Sequence, residues 1–230
     1  MEQALAAYSG YKGHYTAGRG LCMQLRQHHE RPKSRVRKLP VRKKRPMRDT
    51  LKTSRLEPMT FTIRPMDPVR DAERVGRYHV ELVLLQNELW KTLAARSFDA
   101  QETRRQMANR AETQGFIRQV SNMMARKEGM VYLLETQSRE PAGYIFVTET
   151  LDPNTFDRIG IIGEIFIEEP FRGRGAGRQA LAAGEKWLMG RGIESYQVFV
   201  TRTNVHAVDL YQKNGYSVYD YRMVKGQVKQ

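Results

Sequence analysis

The stretch FRGRGAGRQALAAGEKW, residues 171–187, decides the interpretation of this chain. Three glycines alternate with other residues, arginines lie among them, and an apolar run typical of a helix follows. Glycines let backbone N–H groups approach a ligand closely, and a helix start carries unpaired N–H donors and a dipole that favours an anion. The stretch is therefore typical either of a phosphate-binding turn or of a tight basic turn that binds nothing.

Two well-known phosphate-binding motifs do not fit this turn. A P-loop requires a Gly-Lys-Ser/Thr triplet, and none follows here. The dinucleotide fingerprint G-x-G-x-x-G fits Gly173 and Gly175 but has Arg178 in its last place. What remains is the pattern R-x-x-G-x-G, from Arg172 to Gly177, between a predicted strand and a predicted helix. Taken alone, this pattern leaves both interpretations open.

Regular hydrophobic periodicities surround the turn from Met59 onwards. Alternating apolar residues predict strands over 59–66, 130–137, 142–150, 159–169, 195–203 and 216–225. The short link between the second and third of these strands predicts a hairpin. Helical spacing and helix-start or helix-stop residues predict helices over 68–96, 99–129, 178–192 and 204–215. The resulting order, β-α-α-β-β-β-α-β-α-β, predicts one mixed α/β domain over residues 59–230.

Composition is typical of a globular protein of 230 residues, with 40% hydrophobic and 28% charged residues. No apolar run approaches the roughly 18–20 residues that a membrane helix needs, and the first residues do not resemble a secretory signal, so we expect no membrane association. Cys22 is the one cysteine, which excludes an intrachain disulfide and a thiolate metal cluster. We therefore expect a reducing, cytoplasmic location and no bound metal.

The basic charge is concentrated at the N-terminus. Residues 1–58 hold 15 lysines and arginines against 4 acidic residues, whereas residues 59–230 hold 24 against 21. Such a block repels itself, so we expect a disordered, solvated extension. Contact with nucleic acid or anionic lipid through this extension remains an alternative, as does an upstream start assignment with no biological role.

A second motif follows the next predicted strand. The stretch NVHAVDLYQKNGY, residues 204–216, is similar to the signature N-x-x-A-x-x-L/F-Y-x-x-x-G-F of the GNAT N-acetyltransferase superfamily, with Tyr216 in place of the final Phe. The R-x-x-G-x-G turn is similar to the acetyl-CoA-binding turn of the same superfamily. The resemblance spans residues 59–224 in element order and is sharpest over 160–217. It implies a mixed, mostly antiparallel central sheet flanked by helices.

The resemblance also assigns a cofactor site for acetyl-CoA. It implies that main-chain groups of the central strand bind the pantetheine arm, that backbone amides of the turn bind the pyrophosphate, and that an asparagine faces the arm. The residues so assigned are Ile165, Ile167, Arg172, Gly173, Arg174, Gly175, Ala176, Gly177, Arg178 and Asn204. Asn204 is also a good helix N-cap by its residue type.

Two residues take catalytic roles under the resemblance. Tyr211 occupies the family position of the proton donor to the leaving thiolate, and its ordinary alternative is a core aromatic. Glu164 occupies the position of a general base, and its alternative is a cleft carboxylate bonded to solvent or an arginine. His79 and His206 are lone histidines on predicted helices, for which structural or surface roles are expected.

These motifs imply an acetyl-CoA-dependent N-acetyltransferase acting by direct attack of a primary amine. The sequence does not choose the acceptor, which is a small amine or a protein amine. One alternative is a catalytically inactive CoA-binding or regulatory module, and another is a nucleic-acid-associated protein that uses residues 1–58. A homodimer is a further expectation by analogy, because GNAT domains often pair through edge strands or helices.

Overall fold

A computed structural model describes residues 57–94, 98–109, 112–153 and 155–221. The basic extension, apart from its last two residues, lies outside this part of the chain, and so do the expectations placed on it. The described residues form five strands, which are β1 (Thr62–Pro65), β2 (Gly129–Glu135), β3 (Pro141–Leu151), β4 (Arg158–Ile167) and β5 (Tyr196–Val198).

Five α-helices accompany these strands in the described part of the chain. They are α1 (Ala72–Ala94), α2 (Ala100–Asn109), α3 (Glu112–Ala125), α4 (Ala176–Met189) and α5 (Val205–Lys213). A short 3-10 turn, Glu169–Phe171, precedes α4. None of the described helices is both long enough and apolar enough to cross a bilayer.

The strands form one sheet in the order β1-β2-β3-β4-β5. The first four strands pair antiparallel, and β5 adds in parallel to β4. The predicted hairpin between β2 and β3 is confirmed, and so is the mixed, mostly antiparallel sheet flanked by helices. The sheet's central strand, β3, is buried over Ala142–Thr148, because its side chains point alternately into two hydrophobic cores.

Each face of the sheet carries its own core. On one face Ile145 and Val147 pack with Leu181 and Leu188 of α4. On the other face Tyr144 and Phe146 pack with residues of α1 and α3, including Tyr78 and Val120. Burial of these large apolar side chains supplies the main stabilising free energy, at roughly 25 cal/mol per Å² of apolar surface removed from water.

A buried ion-pair network fixes the start of α1 against the sheet. Arg64 on β1 donates to both carboxylate oxygens of Asp71, over 2.6 and 2.9 Å, and to Glu135 on β2 over 2.7 Å. Asp71 is almost fully buried, and its carboxylate also accepts from the backbone N–H of Asp67 at 2.8 Å. The Arg64 guanidinium lowers the pKa of Asp71. This network sets where the helix begins and therefore which of its side chains reach the site.

Some predicted elements differ from the structure. The strand predicted over 216–225 is wrong for residues 216–221, which form no strand, and residues 222–225 lie outside the described part of the chain. Alternation of apolar residues alone does not form a strand, because the backbone groups of a strand also need a paired neighbour. The helix predicted over 99–129 is two helices, α2 and α3, and the second ends at Ala125.

Candidate functional site

The glycine turn leads directly into α4 and exposes backbone donors. Gly173 and Gly175 have φ angles of 74° and 88°, the left-handed region that favours glycine. Gly175 is the N-cap residue of α4, and no side chain caps the helix. The N–H groups of Ala176, Gly177 and Arg178 therefore have no acceptor within the helix. These donors and the helix dipole fit a phosphate or pyrophosphate.

The side chain of Gln179 and one backbone hydrogen bond tie the turn and the start of α4 to the segment before β1. Gln179 on α4 donates to the carbonyl oxygen of Met59 over 2.7 Å and accepts from the N–H of Phe61 at 3.1 Å. The backbone N–H of Met59 donates to the carbonyl oxygen of Arg174 over 3.0 Å. A segment before β1 therefore braces the predicted pyrophosphate turn.

The three arginines of the turn have different surroundings. Nε of Arg172 donates to the carbonyl oxygen of Ile167 over 2.9 Å, and Nη1 of Arg174 contacts the sulfur of Met59. Arg178 is exposed on the first turn of α4. Arg172 and Arg174 therefore make contacts within the protein, whereas Arg178 is an exposed residue at the start of α4.

A β-bulge interrupts the pairing of β3 and β4. Phe146 pairs with Glu164 and Val147 with Ile162, so Gly163 is the extra residue on β4. Among the described residues β5 pairs with β4 only over Gly160–Ile162, and β4 continues to Ile167 without a neighbour on that side. The sheet therefore splays after the bulge.

Backbone groups of β4 face this opening. The N–H of Glu168 donates to the carbonyl oxygen of Ala142 on the β3 side, over 2.9 Å. Because backbone direction alternates along a strand, Ile165 and Ile167 direct their N–H and C=O groups away from β3. The carbonyl of Ile167 accepts from Arg172, which leaves both groups of Ile165 directed at the opening. Such an edge offers a donor and an acceptor to an extended ligand that carries amide groups.

The side chain of Glu164 points toward α1 and is held by two donors. Nδ1–H of His79 on α1 donates to Oε1 over 2.9 Å, and the hydroxyl of Tyr144 on β3 donates to Oε2. The side chains of Glu164 and His79 are mostly buried. Since a carboxylate has about four lone-pair positions, two donors leave it able to accept a further proton or hydrogen bond.

Neighbouring aromatic rings fix these two donors. The ring of His79 stacks on Phe116 of α3, with centroids 3.8 Å apart and an angle of 6° between the rings. Tyr144 is fully buried and stacks on Tyr78 at 5.7 Å. Burial and the adjacent carboxylate raise the pKa of Tyr144 well above its usual value, so its phenol remains a donor. The arrangement fixes the orientation of Glu164 tightly.

Tyr211 and Asn204 come from α5, the last described helix. The side chain of Asn204 accepts from the N–H of Ala207 over 3.3 Å, which confirms the predicted helix cap. Tyr211 is buried, and burial raises its pKa to about 12. A phenol with that pKa stays protonated at neutral pH and is able to donate a proton.

One cleft brings several of these residues together. Its lining includes Glu164, Ile165, Asn204 and Tyr211, with part of α1 on one side and the segment after β5 on the other. The glycine turn does not line this cleft, which is expected if one long ligand spans both places. The assigned roles of these residues remain predictions.

The sequence did not predict His79 and Tyr144 as partners of Glu164. From the sequence we expected a structural or surface role for His79 and only a position in a strand for Tyr144. The alternative considered for Glu164 was a cleft carboxylate bonded to solvent or to an arginine, and among the described residues its side-chain partners are His79 and Tyr144. No three histidine, cysteine or acidic side chains of the described residues lie together in a way that could hold a metal ion.

Comparison with known proteins identifies the class. A model of the acetyltransferase (GNAT) family matches residues 88–216, more than half of the chain. A GCN5-related N-acetyltransferase from Ralstonia eutropha JMP134 superposes with a TM-score of 0.54 at 18% identity, covering 72% of this chain and 98% of that one. A predicted acetyltransferase from Clostridium acetobutylicum, solved with acetyl-CoA, gives 0.50 at 15% identity, covering 73% and 96%. A search of curated proteins found no match.

At these sequence identities, the similarity to solved acetyltransferases establishes only that the chain shares their fold. The family match goes further, and the chain belongs to the acetyltransferase (GNAT) family. Family membership supports acetyl transfer from acetyl-CoA as the general activity.

Proposed function

We propose that this chain is an N-acetyltransferase that moves the acetyl group of acetyl-CoA to a primary amine by direct attack. The observation that carries the proposal is that Glu164, Tyr211 and Ile165 line one cleft. A base, a proton donor and an edge for the cofactor arm are the components that such a transfer requires.

The residues present fit acetyl-CoA in two places. The amides at the start of α4, with Gly173 and Gly175 in the left-handed region, are the proposed pyrophosphate site. The N–H and C=O of Ile165 are the proposed partners of the pantetheine amides, and Asn204 lies beside them in the same cleft. The bound cofactor supplies an acetyl group activated as a thioester.

Two side chains of the cleft would then act in the acetyl transfer, one as a base and one as a proton donor. The ammonium form of the acceptor first loses one proton to solvent. The free amine then attacks the carbonyl carbon, so that a C–N bond forms, the C–S bond breaks, and one further proton leaves the nitrogen. Glu164, held by His79 and Tyr144, accepts that proton through its remaining lone pairs. Tyr211, whose pKa is raised to about 12 by burial, donates its proton to the departing thiolate sulfur. Atoms and charge therefore balance with no further reactant.

The first test is calorimetric titration of acetyl-CoA into the full chain, with Gly175→Glu as the blocking variant. The new carboxylate would meet the pyrophosphate site, so binding should be lost. Gly192→Glu is the matched control, because Gly192 also has a positive φ, of 73°, and lies beyond the opposite end of α4. An added Cβ there meets no atom within 4 Å.

Binding by the parent and Gly192→Glu but not by Gly175→Glu supports the proposed cofactor site. An amine-dependent release of CoA thiol by the parent then supports transfer. Equal binding by all three proteins would place the cofactor elsewhere. No binding by the folded parent would overturn the proposed function.

A further inference from the structure

One wall of the cleft is a row of leucines on α1. Leu82, Leu85 and Leu89 line it at intervals of three and four residues, which places them on one helix face. Leu85 is 42% exposed, and the other two are only partly buried. Leu82 also packs against the core that contains Tyr78, whereas Leu85 is the most exposed of the three. The part of the row around Leu85 is therefore uncovered and open to a ligand.

The facing wall is also apolar. Phe199 and Val200, on the segment between β5 and α5, line the same cleft and are 70% and 37% exposed. Nε1–H of Trp90 donates to the hydroxyl of Thr201 over 3.0 Å and so ties this segment to α1. Exposed apolar side chains on two opposed walls are typical of a binding site for an apolar group.

Under the proposed function, the cofactor arm and the acceptor bind to different residues of the cleft. The backbone of Ile165 faces the splayed edge of β4, where the cofactor arm is proposed to lie. The side chain of Glu164 points toward α1, because its partner His79 belongs to that helix. The leucine row lies on the same helix as His79, so it is left for the acceptor.

The charge of the cleft restricts the acceptor further. Among the described residues that line it, Glu164 is the one that carries a charge. A polyamine or an aminoglycoside brings several ammonium groups, and each one that loses water needs its own partner. One carboxylate between apolar walls provides for one amino group.

We propose that the acceptor is a small primary monoamine whose amino group is attached to an apolar carbon skeleton. The inference rests on the proposed function and deepens it. The amino group meets Glu164, and the apolar skeleton lies between the leucine row of α1 and the Phe199–Val200 segment. Burial of that skeleton supplies binding free energy that a polar amine cannot obtain here.

The test measures CoA thiol release by the full chain with four amines at equal concentrations. Isoamylamine and 2-phenylethylamine are the apolar monoamines, and spermidine and kanamycin are the polycations. We expect kcat/KM for the monoamines to exceed that for the polycations by about tenfold or more, in line with the effect of apolar pocket contacts.

A charge on the leucine row should reverse this preference. Leu85→Glu is expected to lower kcat/KM for 2-phenylethylamine by about tenfold and to raise it for spermidine, with acetyl-CoA binding unchanged. Val69→Glu is the matched control, because Val69 is 90% exposed, lies before α1 and is not part of the cleft. This variant should leave the preference unaltered.

The possible results separate the inference from the proposed function. Acetylation of spermidine or kanamycin in preference to both monoamines overturns the inference and leaves the transferase intact. A peptide with an N-terminal leucine is added as a fifth acceptor at the same concentration, and preference for it over both monoamines overturns the small-molecule acceptor. If the chain binds acetyl-CoA but acetylates neither monoamine, the inference of an apolar monoamine acceptor is also overturned. Failure to bind acetyl-CoA overturns the proposed function itself.

Discussion

Nδ1 of His79 on α1 lies 2.9 Å from Oε1 of Glu164 on β4, and this contact joins a helix to the splayed part of the sheet. The two residues are 85 positions apart in the chain. Because the stack with Phe116 fixes the imidazole, His79 determines how the carboxylate is oriented in the cleft. We infer that His79 is a positioning residue for the proposed base.

Replacement of His79 should separate this hydrogen bond from simple packing. Asn can place an N–H near the position of Nδ1, whereas Leu has nearly the shape of Asn and no donor. We expect His79→Leu to lower kcat by about 10- to 100-fold, since a hydrogen bond to a charged group contributes about 1.5–3 kcal/mol. His79→Asn should retain most of kcat, and KM for acetyl-CoA should change little in either variant.

A double variant and a distant histidine complete this experiment. His79→Leu should add little to the defect of Glu164→Gln, because both act on the same carboxylate. His206→Asn, at an exposed position on α5, should behave as the wild type. Equal turnover by the Asn and Leu variants at position 79 would show that the hydrogen bond has no role.

Tyr211 should be tested by removal of its hydroxyl alone. Burial raises its pKa to about 12, so the phenol is protonated across the neutral range. Tyr211→Phe should therefore lower kcat by about 10- to 100-fold through loss of the proton donor. Acetyl-CoA affinity, measured by calorimetry, should stay within about twofold of wild type, since the ring is kept.

Tyr216→Phe provides the matched control for this change. Its ring lies 5.5 Å from that of Tyr211, and its hydroxyl donates to Glu185 outside the cleft. Turnover should be retained in this variant. If Tyr211→Phe also turned over at the wild-type rate, the proposed donor would have to be another group.

Much of the fold could be predicted from the sequence because local patterns determine it. The strand-to-helix turn at Arg172–Gly177 and the cap at Asn204 depend on residue types close together in the chain. The prediction of a strand over 216–225 was wrong for its described residues, because an alternating apolar pattern does not supply a neighbouring strand. A strand needs a neighbour with free backbone groups, and the pattern of one segment does not show where such a neighbour lies.

The candidate site was only partly predictable for a related reason. Glu164 and Tyr211 lie in motifs and could be found from the sequence, whereas His79 is a lone histidine on a helix. Its contact with Glu164 depends on how α1 is seated on the sheet, which Arg64 and Asp71 fix through tertiary contacts. The bulge at Gly163 also reverses which residues of β4 face the opening, and no local pattern shows that reversal.

Gly163 and Gly115 should respond in opposite ways to replacement by alanine. A Cβ at Gly163 would lie 2.9 Å from the ring of Phe146, which is buried and in edge contact with Phe116. Gly163→Ala should therefore destabilise the fold by about 1–3 kcal/mol and lower turnover, because the displaced rings support His79. Chemical denaturation and CoA thiol release measure the two effects.

Gly115 lies within α3, where an added Cβ meets no atom within 4 Å. Gly115→Ala should stabilise the protein by about 0.5–1 kcal/mol through helix propensity and leave turnover unchanged. Stability equal to wild type in Gly163→Ala would mean that the bulge tolerates a side chain and does not depend on glycine.

Asp71→Asn should produce a large, pH-dependent loss of stability. The carboxylate is buried and paired with Arg64, so removal of its charge leaves the guanidinium without its main partner and should cost about 3 kcal/mol at pH 7. Asp209→Asn removes an exposed ion pair with Lys213 and should cost less than about 1 kcal/mol. Urea denaturation of the three proteins measures both differences.

The sign of the pH dependence follows from the direction of the shift. Arg64 lowers the pKa of Asp71 in the folded state, so the pair stabilises the fold above the unfolded carboxyl pKa of about 4. That contribution disappears as the pH falls through the lower folded pKa. The difference between wild type and Asp71→Asn should therefore be constant near neutral pH and shrink below about pH 4. A difference that stays constant down to about pH 2, below the ordinary carboxyl range, would show that the substitution disturbs packing rather than charge pairing.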